Sequence, residues 1–170
     1  MHDIRIPKDR VGVLIGKNGE IKKLIEKSTN IKLIIDEDGG VVIEGEGIGV
    51  YDAHLIIKAI GRGFNPQIAL TLLKDENSLE VINIKDFTGT SKKKFERRKA
   101  RIIGKEGKAR AAVERLTDTD IIIYGKTVAI IGKIENVDIA KRGMEILLRG
   151  APHGNAYMYM ERELGKLNEK

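Results

Sequence analysis

The 170-residue sequence has no cysteine, no tryptophan and only three histidines. Without cysteine there can be no disulfide framework, thiolate metal site or catalytic thiol, and a reducing compartment, the cytoplasm, is the expected setting. His2, His54 and His153 are too scattered to suggest a metal site or a base beside a nucleophile, and His153 falls in a turn that should be solvated. Long apolar runs are also missing. Ile68 to Leu73, with a threonine inside, and Ile121 to Tyr124 fall far short of the ~20 residues that span a bilayer. The N-terminus carries no charged segment followed by an apolar export signal. A phosphate-binding P-loop is narrowly missed, because only three residues separate Gly12 from Gly16 and Asn18 stands after Lys17 where Ser or Thr is required. No enzyme activity, metal, cofactor, small-molecule substrate or membrane association is therefore expected. A single glutamine, Gln67, among many Lys and Glu residues fits a thermophile's composition.

Acidic residues are scarce in one place. The formal net charge is +6, yet residues 1–75 hold eleven Lys/Arg and eleven Asp/Glu, so the whole excess lies in residues 76–170. Between Lys85 and Arg110, eleven basic residues face only Asp86, Glu96 and Glu106. Such a density predicts a polyanionic partner.

Sliding the chain on itself by 88 residues superposes Gly16, Lys17 and Gly19 on Gly104, Lys105 and Gly107. Ile21, Leu24 and Ile25 then fall on Ala109, Ala112 and Val113, an i, i+3, i+4 stripe that turns one helix face to a core. Each helix stops at a polar cluster, 28–30 or 117–120, and β-branched runs follow at 31–35 and 120–123. A turn, Asp38-Gly39-Gly40 or Gly125-Lys126, leads to a return strand from Val41 or Val128, which predicts a hairpin in each copy. Closing helices are expected over 50–60 and 137–148, both followed by Arg-Gly, where glycine suits a left-handed helix end. The opening strands are placed at 3–6 and about 79–84. Asn65 and Pro66 start a short connecting helix as cap and first residue. An amphipathic tail helix is expected from about Asn155.

The doubled glycine pair carries the chemistry. A helix ending at one glycine and another starting at the next leave a tight turn with unpaired amide groups, which together with the second helix dipole attract a phosphate oxygen. Glycine, lacking a Cβ, lets a nucleic-acid backbone approach.

With these residues in the frame strand, helix, Gly-x-x-Gly, helix, strand, strand, helix, the sequence resembles a tandem of KH domains, modules that clamp about four nucleotides of single-stranded backbone. The resemblance covers nearly all of the chain. The first loop leaves room for one strand and helix before it, which matches the type I order and not type II. The expected fold is α+β, two tandem type I KH domains (βααββα), each a three-stranded antiparallel sheet covered by helices on one face. Residues 1–75 are the first domain, with the connecting helix over 65–74, and residues 76–170 the second, with the tail helix. Three Phe and four Tyr leave little for an aromatic stacking platform, and bases are expected against aliphatic side chains instead.

A narrower resemblance is carried by Arg101-Ile102-Ile103-Gly104-Lys105-Glu106-Gly107-Lys108 and by the ending Gly150-Ala151-Pro152-x-Gly154-x-x-Tyr157. They are similar to the second KH domain of the archaeal ribosome assembly factor family called partner of Nob-one. This resemblance implies binding to the 3′ end region of small-subunit ribosomal RNA during its maturation, beside the processing endonuclease, with the initiation factor two alpha subunit as a further partner. Eukaryotic relatives have a degenerate first loop, whereas Gly16-Lys17-Asn18-Gly19 is intact here.

The expected RNA-binding set is Gly104, Lys105, Glu106, Gly107, Lys108 and Arg110, with Lys94, Arg98 and Arg101 spaced i, i+4, i+7 along one helix face. Ile103, Ile121 and Ile123 are placed near the base groove, although the same residues could simply be core, the commoner fate of any one such residue. Gly16, Lys17, Asn18 and Gly19 form the first clamp. Because Asp9 and Glu20 offset Lys8, Arg10, Lys22 and Lys23, the second unit is expected to carry most of the affinity. The alternative is a protein-binding adaptor with RNA contact secondary, docking through Tyr157-Met158-Tyr159-Met160, unless that segment only seals the tail helix.

Overall fold

Val41 and Ile43 are buried and Val42 between them is half-exposed, the alternation that turns one face of a strand to a core. The computed structural model describes residues 2–169 and divides the chain into two compact units, one ending at Asp75 and the other beginning at Glu76.

The first unit runs β1 (His2–Arg5), α1 (Val11–Ile15), α2 (Glu20–Thr29), β2 (Lys32–Ile35), β3 (Gly40–Glu44) and α3 (Ile48–Gly61). The sheet has the order β1-β3-β2 and is antiparallel throughout, with Ile4 opposite Val41 and Leu33 opposite Ile43. α1 and α2 pack on α3, which buries Val50, Ala53, Ile56, Ile57 and Ile60. Nearly all-round apolarity marks α3 as the central helix of the unit. A Cβ on Gly49 would lie 2.0 Å from the carbonyl oxygen of Thr29, so the approach of α2 to α3 excludes any side chain there. The connecting segment splits into α4 (Pro66–Ala69) and a 3₁₀ turn, Leu70–Leu73. Asn65 is its cap, with Oδ1 accepting from Ile68 N–H at 2.9 Å.

The second unit repeats the order: β4 (Asn77–Asn83), α5 (Lys92–Ile103), α6 (Lys108–Thr117), β5 (Asp120–Tyr124), β6 (Thr127–Lys133) and α7 (Ile134–Leu148), followed by α8 (His153–Asn168). The sheet order is β4-β6-β5, again antiparallel. Ile82, Ile102, Val113, Ile121, Val128, Ile130, Met144 and Leu147 form its core. α8 closes over this core through Ala156 and Met160, and a Cβ on Gly143 would meet the Met160 side chain, which sets the close crossing of α7 and α8.

Both units thus follow the βααββα order of type I KH domains. Helices extend beyond the expected bounds: α3 and α7 start two and three residues early, at Ile48 and Ile134, and in α7 the early start places Glu135 in the first turn, where a carboxylate suits the positive end of the helix dipole. His153 is not in a solvated turn. It opens α8, half-buried, with Nε2 3.0 Å from the Arg101 carbonyl oxygen. Among the described residues no helix is long and apolar enough to cross a membrane.

Gly49→Ala is expected to lower the unfolding free energy of the first unit by about 2 kcal/mol through overpacking. Gly12→Ala, where a Cβ would meet nothing within 4 Å, should be neutral or slightly stabilising in the same denaturant titration.

Candidate nucleic-acid interface

Gly16 ends α1 and Gly104 ends α5, each accepting a near-identical backbone: φ 75°, ψ 174° and φ 76°, ψ 172°. A Cβ on Gly16 would lie 2.9 Å from the Ile21 amide nitrogen, and one on Gly104 would lie 2.6 Å from that of Ala109. Backbone cannot yield as a side-chain tip can, so these two positions are closed to every other residue. One 3₁₀ turn follows in each copy, with Gly19 N–H donating to Gly16 O at 3.2 Å and Gly107 N–H to Gly104 O at 3.1 Å. The amides of Lys17, Asn18, Lys105 and Glu106, at the start of these turns, are left without a helical acceptor.

Asn18 (φ 57°) and Glu106 (φ 56°) are both left-handed, as are Gly19 and Gly107, the residues from which α2 and α6 start. Asparagine tolerates this conformation; glutamate does so at a cost of roughly 1 kcal/mol. Around Gly19 and Gly107 the space is open: an added Cβ would come no nearer than 3.9 Å to Lys23 and 3.8 Å to Arg110. The second glycine of each pair therefore serves its φ angle and an unobstructed outer face. Lys17, Asn18, Lys105, Glu106 and Lys108 are exposed around these turns.

The flanking cations are arranged differently from the expected stripe. Arg101 donates from Nε to Leu147 O at 3.5 Å and from a terminal nitrogen to Ala151 O, so its guanidinium caps the C-terminus of α7. Arg98 also lies there, since a Cβ on Gly150 would strike its guanidinium. In the first unit Arg10 does the same work, donating to Ile60 O and Phe64 O at 2.8 Å. Cationic groups complement the negative end of a helix dipole, which explains why the arginines turn inward. Lys94 is half-buried as well, and the side of α5 that faces solvent carries Lys92, Lys93 and Arg97. The spacing 94, 98, 101 thus marks the packed side of the helix, and Arg98 and Arg101 are removed from a continuous phosphate track.

Arg110 stays beside the clamp. It is bridged to Glu114 at 2.5 Å, and the other oxygen of Glu114 accepts from Ile121 N–H at 2.9 Å, tying α6 to β5. Glu26 makes the matching bond to Leu33 N–H at 2.9 Å in the first unit. Ile121 is core, 3% exposed, and does not line a groove; Ile103 and Ile123 are half-buried. The β5–β6 turn folds back to the end of β4, where the Lys126 carbonyl oxygen accepts from Ile84 N–H at 2.9 Å. Tyr157, Tyr159 and Met160 pack on the second core and leave only Met158 of that segment exposed.

A KH-domain model matches residues 2–59, and a model described as eukaryotic type KH-domain, KH-domain type I, matches residues 78–164. This chain belongs to the KH-domain family. A KH domain-containing protein of Methanocaldococcus jannaschii is 52% identical over 169 residues, which cover 96% of this chain and 74% of that protein. Pre-rRNA-processing protein PNO1 of Coccidioides immitis is 30% identical over 115 residues, 67% of this chain and 45% of that protein. The KH chain spans about half the length of that fungal relative. Among solved structures, a chain in the a/eIF2alpha-aDim2p-rRNA complex from Pyrococcus horikoshii has a TM-score of 0.88 and 42% identity, covering 97% of this chain and 94% of that one.

Glu106→Asn should raise the stability of the second KH unit by about 0.5–1 kcal/mol, seen as a higher melting temperature, by relieving the left-handed glutamate. Gly104→Ala should lower it sharply in the same assay.

Proposed function

We propose that this protein is a non-enzymatic RNA-binding factor in small-subunit ribosome assembly. It holds unpaired ribosomal RNA near the 3′ end through its KH clamps. Each compact unit is one KH domain, the first carrying the connecting helix and the second the tail helix. The observation that carries the reading is the pair of matching Gly-x-x-Gly turns, each with unpaired amides, an exposed lysine and an open outer face. Such a turn clamps about four nucleotides by their backbone, with little need for base-specific side chains.

The reading is narrowed by the relatives. Pre-rRNA-processing proteins and a complex holding both a/eIF2alpha and rRNA are among the similar proteins, which supports ribosomal RNA as the ligand and the initiation factor two alpha subunit as a partner. The processing endonuclease, acting on the same RNA end, is the third member of the proposed assembly, and the cytoplasm its place.

The second clamp is the stronger. Gly104, Lys105, Glu106 and Gly107 contact the phosphates, with Lys108 and Arg110 on the α6 side. The first clamp, Gly16 to Gly19, has the same backbone in a unit of zero net charge, so it adds geometry without a strong field. Replacing Lys105 and Glu106 together by Asp should weaken binding of a single-stranded RNA ending in the small-subunit 3′ sequence by more than about tenfold, as measured by fluorescence anisotropy. The same change at Lys17 and Asn18 should weaken it less. Equal losses would refute the asymmetry, and undiminished binding by both variants would refute the clamp.

A further inference from the structure

The last α-helix of the first unit, α4, has 4 residues; that of the second, α8, has 16. Where the second half of α8 passes the start of α7 and of β4, three rows of side chains converge. In α7, Ile134, Asp138 and Arg142 are spaced i, i+4, i+8 on one helix face. Tyr159, Glu163 and Leu167 have the same spacing in α8, and Ser78 and Glu80 come from one face of β4. Together they bound a groove of about 960 Å³ that lies wholly within the second unit.

The floor of the groove is apolar. Val137 and Ile139 are buried, Tyr159 and Leu167 are half-buried, and Ile134 stands 52% exposed at the edge. The rim is acidic: the carboxylates of Glu80, Glu135, Asp138, Glu163 and Glu169 line it, against the cations of Arg142 and Lys166. Three of these carboxylates are bridged, Glu80 to Lys141 at 3.3 Å, Asp138 to Arg142 at 3.5 Å and Glu163 to Lys166 at 3.4 Å. Among the described residues no cation lies within 4 Å of Glu135 or Glu169. The C-terminal end of α8 reaches the same rim, and its last carbonyl groups carry the negative pole of the helix dipole. This local field opposes that of the unit around it, in which residues 76–170 hold twenty Lys/Arg and fourteen Asp/Glu.

We infer that this groove docks a basic amphipathic segment of a partner protein, with an apolar side chain on the floor beside Ile134 and Lys or Arg at the carboxylate rim. Charge decides the class of occupant. A nucleic-acid strand would bring its phosphates against the carboxylates, whereas a cationic segment supplies the counter-charges that Glu135 and Glu169 lack. The clamp is at the far end of α7. Arg101, three residues before Gly104, closes the C-terminal end of that helix, and Glu135 stands at the other end, about 20 Å away at 1.5 Å per residue. That distance exceeds the ~8 Å over which exposed charges act at physiological salt. RNA on the clamp and a protein segment in the groove can therefore be held at once, and the groove stands whether or not the clamp binds RNA.

The test uses the full chain and a fluorescein-labelled Leu/Lys peptide of about 14 residues, its leucines at i, i+3, i+4, with the same peptide carrying Glu for Lys as the control. The unmodified protein should bind the Leu/Lys peptide saturably, one per chain, and leave the Leu/Glu peptide unbound. Glu135→Gln with Glu169→Gln, two exposed positions outside any ion pair among the described residues, should weaken binding roughly fivefold and flatten its salt dependence. Ile134→Ser should weaken it roughly threefold at every salt concentration. Both variants should bind single-stranded RNA as the unmodified protein does, which keeps failure of the groove distinct from failure of the clamp. Unchanged peptide affinity in both variants, or equal binding of the two peptides, would overturn the groove. A loss of RNA affinity in the Gln variant would assign the groove to RNA instead, and a dimer in sedimentation that this variant abolishes would assign it to a second copy of the chain.

Discussion

The missing Cβ of Gly104, 2.6 Å from where it would strike the Ala109 amide nitrogen, is the constraint on which the second interface depends. Because no side chain stands there, α5 can stop at Ile103 and α6 can start at Lys108, with four residues in the turn between them. The amides between them then face outward at the positive end of a ten-residue helix. Gly16 imposes the same condition against Ile21. Anion attraction by these turns follows from steric exclusion at one residue and would be lost if either helix ended a turn sooner or later.

Around that turn the rest of each unit serves to hold the two helices in place. Glu114 reaches from α6 to the backbone of β5, and Glu26 makes the same reach from α2 to β2. Guanidinium groups close the C-terminal ends of α3 and α7, but from different positions, Arg10 in one unit and Arg101 in the other. The same end is satisfied in both cases, because a buried helix terminus with unpaired carbonyls is costly whichever residue supplies the donor. Charge that looks available for a ligand in a basic helix is thus partly committed to the fold.

The two units differ less in their clamps than in the stretch before them, where α5 has 12 residues and α1 has 5. The clamp dihedral angles agree within a few degrees. The surroundings differ: a short α1 stands beside the first clamp, while the longer, cationic α5 stands beside the second. Matching geometry is thus set in unequal fields, neutral overall in the first unit and cationic in the second.

The order of elements, both clamps and the cap at Asn65 were legible in the amino-acid sequence because each is local. Glycine spacing, a capping residue and a two- or four-residue period act over a few positions. What the sequence could not decide were the directions of the long side chains. Arg98 and Arg101 share a spacing that reads as one solvent-facing row, yet α7 lies against that row and takes them. Ile121 could line a groove or fill a core, and the pairing of β5 with β6 beneath α6 made it core. Lys126 met Lys85 only when the hairpin folded back to the end of β4. Tertiary structure settled these three because each depends on which distant backbone arrives beside a residue, a contact made across dozens of positions that no local pattern encodes.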